Sequence, residues 1–214
     1  MIVANGTSNG PLFYLYADFL LSLDKSRLTL SGGFYLYDRE DSILTTEYIL
    51  DRAMEQVLGV LTPPNRLVMR VMLRTGLRVG DVLALRTEKL ARQFWITEQK
   101  TGKRRRVNLP ADLLDDLRCQ AGNVWVFPHR VDPARHRTRQ AVWHDVKRAA
   151  TAYRLTQNVG THSARKSYAV DLMRRYGDIE RVRRSLNHSS AAVTVLYACA
   201  DTIVKRRGRR RRSW

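Results

Sequence analysis

The chain has 214 residues, enough for one ordinary domain with a buried core. Lysine and arginine number 38 against 20 acidic residues, and the resulting net charge of +18 predicts attraction to a polyanion. Two cysteines, Cys119 and Cys199, are too few for a disulfide framework or a four-cysteine zinc site. No uncharged apolar run approaches the ~18 residues of a membrane span. We therefore expect no membrane partner and a reduced, cytoplasmic setting.

The N-terminal part differs from the rest of the chain in charge. Three basic and five acidic residues occupy positions 1–45, so the positive charge lies almost entirely downstream. A serine–glycine stretch at 31–33 precedes an aromatic run at 34–37, which is typical of a short strand or a hydrophobic plug. We predict a boundary near residue 43, between a short segment over residues 1–43, to which the residues assign no role, and a domain over 44–200.

Helical spacing of apolar residues dominates this domain. The predicted helices cover about residues 45–61, 65–75, a short stretch from 79, 110–119, 138–153, 161–176, 178–186 and 190–200. Pro63 and Pro64 are interpreted as breaking the first helix, and Gly76 as ending the second.

Two strands, at residues 94–97 and 105–109, flank the sequence Lys100-Thr101-Gly102-Lys103, which is typical of a hairpin turn. The fold class expected is therefore α+β, mainly α, with a small antiparallel β-hairpin. Residues 201–214 form a basic C-terminal tail, with seven basic residues at positions 205–212.

Several chemically capable residues occur in a fixed order. His162 and Arg165 are three apart on a predicted helix, so their side chains share a face. One such pair means little in a chain so rich in arginine, and His136 with Arg139 forms another. The pair gains meaning from its surroundings: a Thr-Gly-Leu-Arg block upstream, the basic hairpin between, and His188 and a later tyrosine downstream.

Together these blocks resemble the catalytic domain of the tyrosine recombinases, the phage-integrase family, over about residues 44–200. The residues that match the family's motifs are Arg78 in the Thr-Gly-Leu-Arg block, Lys100 in the hairpin, His162 and Arg165 in the His-x-x-Arg pair, His188 in Leu186-Asn187-His188, and Tyr197 as the nucleophile. Lys103 remains an alternative to Lys100, because a turn can slip by a few residues. Asn187 replaces the family's usual glycine, and asparagine is the least costly substitute if φ is positive there.

The resemblance implies a site-specific recombinase or integrase that cleaves and rejoins DNA through a 3′-phosphotyrosyl intermediate. Two guanidiniums, from Arg78 and Arg165, would hold the nonbridging phosphate oxygens by charge-assisted hydrogen bonds. Tyr197 would attack phosphorus, and Lys100 would protonate the departing 5′-oxygen.

The two histidines complete the implied mechanism. His162 would be the acid–base partner near the nucleophile, and His188 would donate to a phosphate oxygen. Asp81, three residues after Arg78, is either an orienting partner of that guanidinium or an ordinary solvated acid. The family needs no cofactor and no metal, and its partners would be double-stranded DNA and a homo-oligomer assembled on that DNA.

Two alternatives share this fold or chemistry. One is a non-catalytic DNA-binding or regulatory module, which the short N-terminal segment favours, since the family usually carries a longer DNA-clamping domain there. The other is a type IB topoisomerase, which lacks the Leu-x-His block. The target site and the direction of recombination do not follow from the residues.

Overall fold

In this computed structural model, the described residues are 47–49, 51–188 and 194. They include seven α-helices and one two-stranded antiparallel sheet. The helices are α1 (Asp51–Val60), α2 (Pro63–Thr75), α3 (Val79–Leu83), α4 (Ala111–Gln120), α5 (Arg139–Ala152), α6 (Thr161–Tyr176) and α7 (Ile179–Leu186). The strands are β1 (Gln93–Thr97) and β2 (Arg104–Asn108), and a 3-10 helix spans Thr87–Lys89. This architecture confirms the α+β, mainly α class.

The first two helices differ from the sequence-based prediction at their junction. Pro63 and Pro64 begin α2 instead of only ending the helix before it. Proline suits the first turn of a helix because the N–H groups there have no intrahelical acceptor. At the other end, Gly76 adopts φ 65° and donates its backbone N–H to Met72 at 2.8 Å, as expected for a C-terminal glycine.

Helix α2 is the centre of the core. Its Val68, Met69, Val71 and Met72 are completely buried. These positions cover about half of the circumference of α2, which packs against α1, α3, α4, α5 and α6. The C-terminal end of α2 is thereby fixed, and the Thr-Gly-Leu-Arg block follows directly from it.

A buried carboxylate joins α5 to the start of α2. Asp145 accepts hydrogen bonds from the Thr62 backbone and hydroxyl and from Asn65, at 2.8 to 2.9 Å. Burial alone would raise the pKa of Asp145, but the donors from Asn65, Arg148 and Thr62 lower that pKa to about 2. The ionised side chain therefore ties α5 to Thr62 and Asn65 at the start of α2.

The β-hairpin forms close to its predicted bounds. Phe94 pairs with Val107, and Gly102 adopts φ 65° in the connecting turn. Helix α6 has the predicted bounds, whereas of the helix predicted at 190–200 only Thr194 is among the described residues. Over the described part of the chain, no helix is both long and apolar enough to cross a bilayer.

Candidate active site

Arg78 is positioned by the turn between α2 and α3. It is the residue before the first turn of α3, with extended backbone angles (φ −73°, ψ 149°) that direct the chain away from Gly76. Its side chain is 18% exposed, and Nη1 lies 2.5 Å from Oε2 of Glu98. The ion pair with the buried Glu98 therefore holds the partly exposed guanidinium of Arg78 in place.

Glu98 is a site residue that the sequence motifs did not identify. Strand alternation places it on the same inward face as Phe94 and Ile96, and its side chain is completely buried. Arg105 Nη1 lies 3.5 Å from Oε1 of Glu98, and the Thr101 hydroxyl donates to Oε2 at 3.1 Å. Burial alone would raise the pKa of Glu98, but the charge and hydrogen bond of Arg78 hold that pKa below its usual value.

Arg165 is one of the largest fully buried side chains, at 1% exposure. Its guanidinium donates to the backbone carbonyl of Gly76, and Nη2 donates to the carbonyl of Leu186 at 2.5 Å. These carbonyls are the ends of α2 and α7, where backbone acceptors lack intrahelical partners. The two helix ends thus fix the orientation of the guanidinium.

His162 lies one helical turn before Arg165 on α6. Its Nδ1 is buried and has no hydrogen-bond partner within the described part of the chain. Burial, together with the positive charges of Arg165 and Lys166, lowers the pKa of His162 to about 4. The imidazole is therefore neutral at pH 7.

His188 follows α7 through a left-handed residue. Asn187 adopts φ 51° and ψ 35° at the end of α7, the conformation that favours glycine or asparagine there. His188 is 9% exposed, and its Nδ1 lies 3.2 Å from the Thr194 hydroxyl. Burial lowers the pKa of His188 to about 3, and Arg165 and nearby cations act in the same direction.

Lys100 is an exposed residue on the hairpin turn. Its positive charge contributes to lowering the pKa of both His162 and His188, so the ammonium is within electrostatic range of both rings. The hairpin thus brings an exposed cation near the histidines and the two arginines. Five of the six predicted residues are therefore gathered at one place, and the sixth, Tyr197, lies outside the described residues.

Asp81 matches neither sequence interpretation. It is 2% exposed, and its Oδ1 accepts the backbone N–H of Gln99 at 2.9 Å. Burial raises the pKa of Asp81, while the hydrogen bond from Gln99 opposes that rise. Asp81 therefore anchors the hairpin to α3, and the described hydrogen-bond partner of Arg78 is Glu98.

Buried polar atoms without a hydrogen bond concentrate at this site. Glu98 Oε1 and Arg105 Nη1 share only their ion-pair contact at 3.5 Å, and Asp81 Oδ2 and His162 Nδ1 have no hydrogen-bond partner in the described part of the chain. Unpartnered buried polar groups are costly, so they are rare except at functional sites. The concentration of arginines beside two neutral imidazoles suits an anionic ligand that can accept several hydrogen bonds.

Glu98 and Arg105 could have been found from the hairpin pattern. In β1 and β2, inward positions alternate with outward ones, and Glu98 and Arg105 are charged residues at inward positions. A buried charge needs a partner of opposite sign. The sequence therefore contained a signal for a buried ion pair, although motif matching passed over it.

Comparison with known proteins agrees with this geometry. The family model described as "Phage integrase family" matches residues 47–202. A probable integrase/recombinase, YoeC of Bacillus subtilis (strain 168), is 28% identical over 135 residues, which cover 60% of this chain and 74% of that protein. The tyrosine recombinase XerC of Mesorhizobium japonicum is 27% identical over 147 residues, covering 64% of this chain but 47% of that protein.

Solved structures show the same fold. The XerH site-specific recombinase bound to palindromic difH substrate superposes with a TM-score of 0.59 at 20% identity, over 72% of this chain and 49% of that one. A lambda integrase dimer bound to a COC′ core site superposes with a TM-score of 0.58 at 19% identity, over 72% of this chain and 47% of that one. This chain belongs to the phage integrase family.

Proposed function

We propose that this chain is a site-specific DNA recombinase that cleaves and rejoins strands through a 3′-phosphotyrosyl intermediate. The observation that carries the proposal is the grouping of Arg78 and Arg165 with two neutral histidines and a hairpin lysine. A phosphodiester carries one negative charge and gains more on its oxygens in the transition state. Fixed guanidiniums are well suited to stabilise that gain, because they donate paired hydrogen bonds and stay charged.

In the proposed reaction, the Tyr197 hydroxyl attacks phosphorus and the bond to the 5′-oxygen breaks. The tyrosyl proton goes to His162, whose imidazole is unprotonated at pH 7. Lys100 supplies the proton that the departing 5′-oxygen needs. One ester replaces another, so the strand can be rejoined by the reverse reaction without an oxidant, a reductant or ATP.

His188 is assigned to the phosphate. Its Nδ1 lies 3.2 Å from the Thr194 hydroxyl, and when Nδ1 accepts from that hydroxyl the single N–H of the neutral ring is on Nε2. With the pKa of His188 lowered to about 3, the ring acts at pH 7 as a neutral donor of one N–H. A neutral donor adds a hydrogen bond without adding to the crowding of positive charge around Arg165.

The proposed partner is double-stranded DNA. The net charge of +18 favours phosphate contacts, which depend on salt but not on sequence. Among the solved relatives, one is bound to difH substrate and another is a dimer on a core site. We extend both properties to this chain as part of the proposal, with a homo-oligomer assembled on DNA.

A suicide-substrate assay tests the proposal. A nicked duplex from which the cleaved end diffuses away should trap a covalent protein–DNA adduct, and Tyr197→Phe should abolish that adduct while leaving DNA affinity nearly unchanged. Tyr153→Phe is the matched control, since Tyr153 is an exposed tyrosine on the described surface. DNA binding without an adduct would favour the non-catalytic module. Relaxation of a supercoiled plasmid that lacks any specific site would favour a topoisomerase.

A further inference from the structure

A basic recess is lined in part by Arg105, the arginine that also approaches Glu98. Its volume is about 460 Å³, and residues of α2, β2, α6 and α7 line it. Five arginines surround it: Arg74, Arg105, Arg106, Arg175 and Arg184. The one acidic lining residue, Asp171, pairs with Arg175. The recess therefore carries an excess of positive charge and favours an acidic occupant.

Three of these arginines have no carboxylate partner among the described residues, although Arg106 donates to the side chain of Gln93 and Arg184 to the carbonyl of Glu180. Arg74, Arg106 and Arg184 are exposed, and no ion pair joins them to another residue of the described part of the chain. Between them the lining is apolar, with Leu73, Leu172 and the ring of Tyr168. An occupant that fits must combine carboxylates with apolar or aromatic side chains.

The recess also runs along the edge of β2 that pairs with no other strand of the described residues. Residues 105–108 of β2 line it, and no residue of β1 does. The backbone N–H of Glu98 donates to the Lys103 carbonyl, and the backbone N–H of Leu109 donates to the Arg92 carbonyl. In an antiparallel pair the backbone groups alternate in direction, so those of Arg105 and Val107 point towards β1. The backbone N–H and carbonyl groups of Arg106 and Asn108 point away from β1. An extended segment can pair with such an edge as an added strand.

We propose that residues 34–41 of this chain dock in the recess as an additional strand on β2. The sequence Phe34-Tyr35-Leu36-Tyr37-Asp38-Arg39-Glu40-Asp41 is aromatic in its first half and acidic in its second. It combines the two properties that the lining requires. The aromatic half covers Leu73, Leu172 and Tyr168, and the carboxylates of Asp38, Glu40 and Asp41 pair with the arginines.

The chain leaves the described structure beside α6, the helix that also lines the recess. Glu47 accepts a hydrogen bond from the Ser163 hydroxyl at 2.6 Å, and Tyr48 packs on Val170, so the chain enters the described structure along α6. Asp171 and Arg175, on the neighbouring face of the same helix, already line the recess. The six residues from Asp41 to Glu47 can span roughly 20 Å, about twice the width of a helix.

Charge excludes the other end of the chain as the occupant. Residues 205–212 carry seven basic side chains and no acidic one. Placing them among five arginines would bring like charges together in a partly enclosed space, which is unfavourable. The acidic N-terminal segment is therefore the part of this chain with the matching charge.

Backbone hydrogen exchange of the full chain, measured by NMR without DNA, tests the proposal. The amides of Arg106 and Asn108 should exchange slowly, because the docked strand covers them. In the triple variant Asp38→Asn, Glu40→Gln, Asp41→Asn, their exchange should accelerate about tenfold, the effect expected for losing three ion pairs of this kind. The amide of Val107, which faces β1, should keep its protection and so report that the hairpin is intact.

A matched control neutralises other carboxylates of the same segment. The double variant Asp18→Asn, Asp24→Asn should leave the protection of Arg106 and Asn108 unchanged, whereas Arg74→Glu should reduce it. Fast exchange of both amides in the unmodified chain would overturn the proposal, as would protection that survives the triple substitution. Protection that disappears on dilution would identify a second copy as the donor and overturn docking within one molecule.

Discussion

The carboxylate of Glu98 is completely buried, and its Oε2 lies 2.5 Å from Nη1 of Arg78. Arg105 approaches the other carboxylate oxygen at 3.5 Å. A single buried negative charge thus serves two arginines, and one of them is the proposed phosphate ligand. This arrangement explains how Arg78 can be held in a fixed orientation although its side chain is partly exposed.

Glu98→Gln tests this relationship. Removing the charge leaves two partly buried guanidiniums without a counter-charge, so the free energy of unfolding should fall by roughly 3–5 kcal/mol, measured by urea denaturation. Cleavage should slow because Arg78 loses its fixed orientation, while DNA affinity should hold or rise as a negative charge disappears. Glu88→Gln, at an exposed position, should change neither quantity. A parallel loss of DNA affinity and cleavage would contradict a role in orienting Arg78.

The leaving-group role distinguishes Lys100 from Lys103. Lys100→Ala should slow cleavage of an ordinary phosphodiester but not of a 5′-bridging phosphorothioate, because a thiolate leaves without a proton. Lys103→Ala is the control and should cleave both substrates at nearly the same rate as the unmodified protein. Sulfur rescue of Lys103→Ala but not of Lys100→Ala would move the role to Lys103.

The two buried histidines predict a loss of stability in mild acid. The folded-state pKa values of His162 and His188 are lowered to about 4 and about 3, whereas a histidine in the unfolded chain titrates near 6.5. Between these values the unfolded chain binds more protons than the folded one, so stability falls as the pH decreases below about 6.5. For each histidine, the free energy of unfolding should fall by on the order of 1 kcal/mol per pH unit in this range.

Denaturation midpoints measured between pH 7 and pH 5 check this effect. His188→Gln should make stability depend less steeply on pH. His144→Gln, which removes an exposed ring, should leave that dependence unchanged. Equal slopes for the unmodified protein and His188→Gln would show that His188 binds protons equally in the folded and unfolded states, which contradicts a lowered pKa. DNA that contacts the rings should reduce the slope as well, because a phosphate stabilises the imidazolium.

Gly76 cannot take a side chain without strain in its backbone and a clash with Tyr168. Its φ is 65°, and an added Cβ would lie 2.3 Å from the Tyr168 ring. Gly76→Ala should therefore lower the free energy of unfolding by roughly 1–2 kcal/mol through the left-handed backbone and by about 1–3 kcal/mol more through overpacking. In a Tyr168→Ala background only the backbone part should remain, as measured by a double-mutant cycle. An undiminished effect in that background would exclude the clash with Tyr168.

Local patterns determined most of the secondary structure. The alternation in the hairpin, the C-terminal glycine of α2 and the apolar spacing of α6 depend on neighbouring residues alone, so their bounds were predictable. The junction at Pro63 was not, because the same two prolines can end one helix or begin another. In the structure Asp145, a residue far away in the chain, accepts hydrogen bonds from Thr62 and Asn65 on either side of the two prolines.

The sequence by itself also determined the family and the types of residue expected at the active site, because the order of the motifs can be read from the chain directly. The partners of those residues were decided only by the tertiary structure. Arg78 pairs with Glu98 instead of Asp81, and Arg165 is oriented by backbone carbonyls at two helix ends. The low pKa values of His162 and His188 likewise arise from burial beside cations brought from other elements. Such effects depend on distances between residues far apart in the chain, which no local pattern encodes.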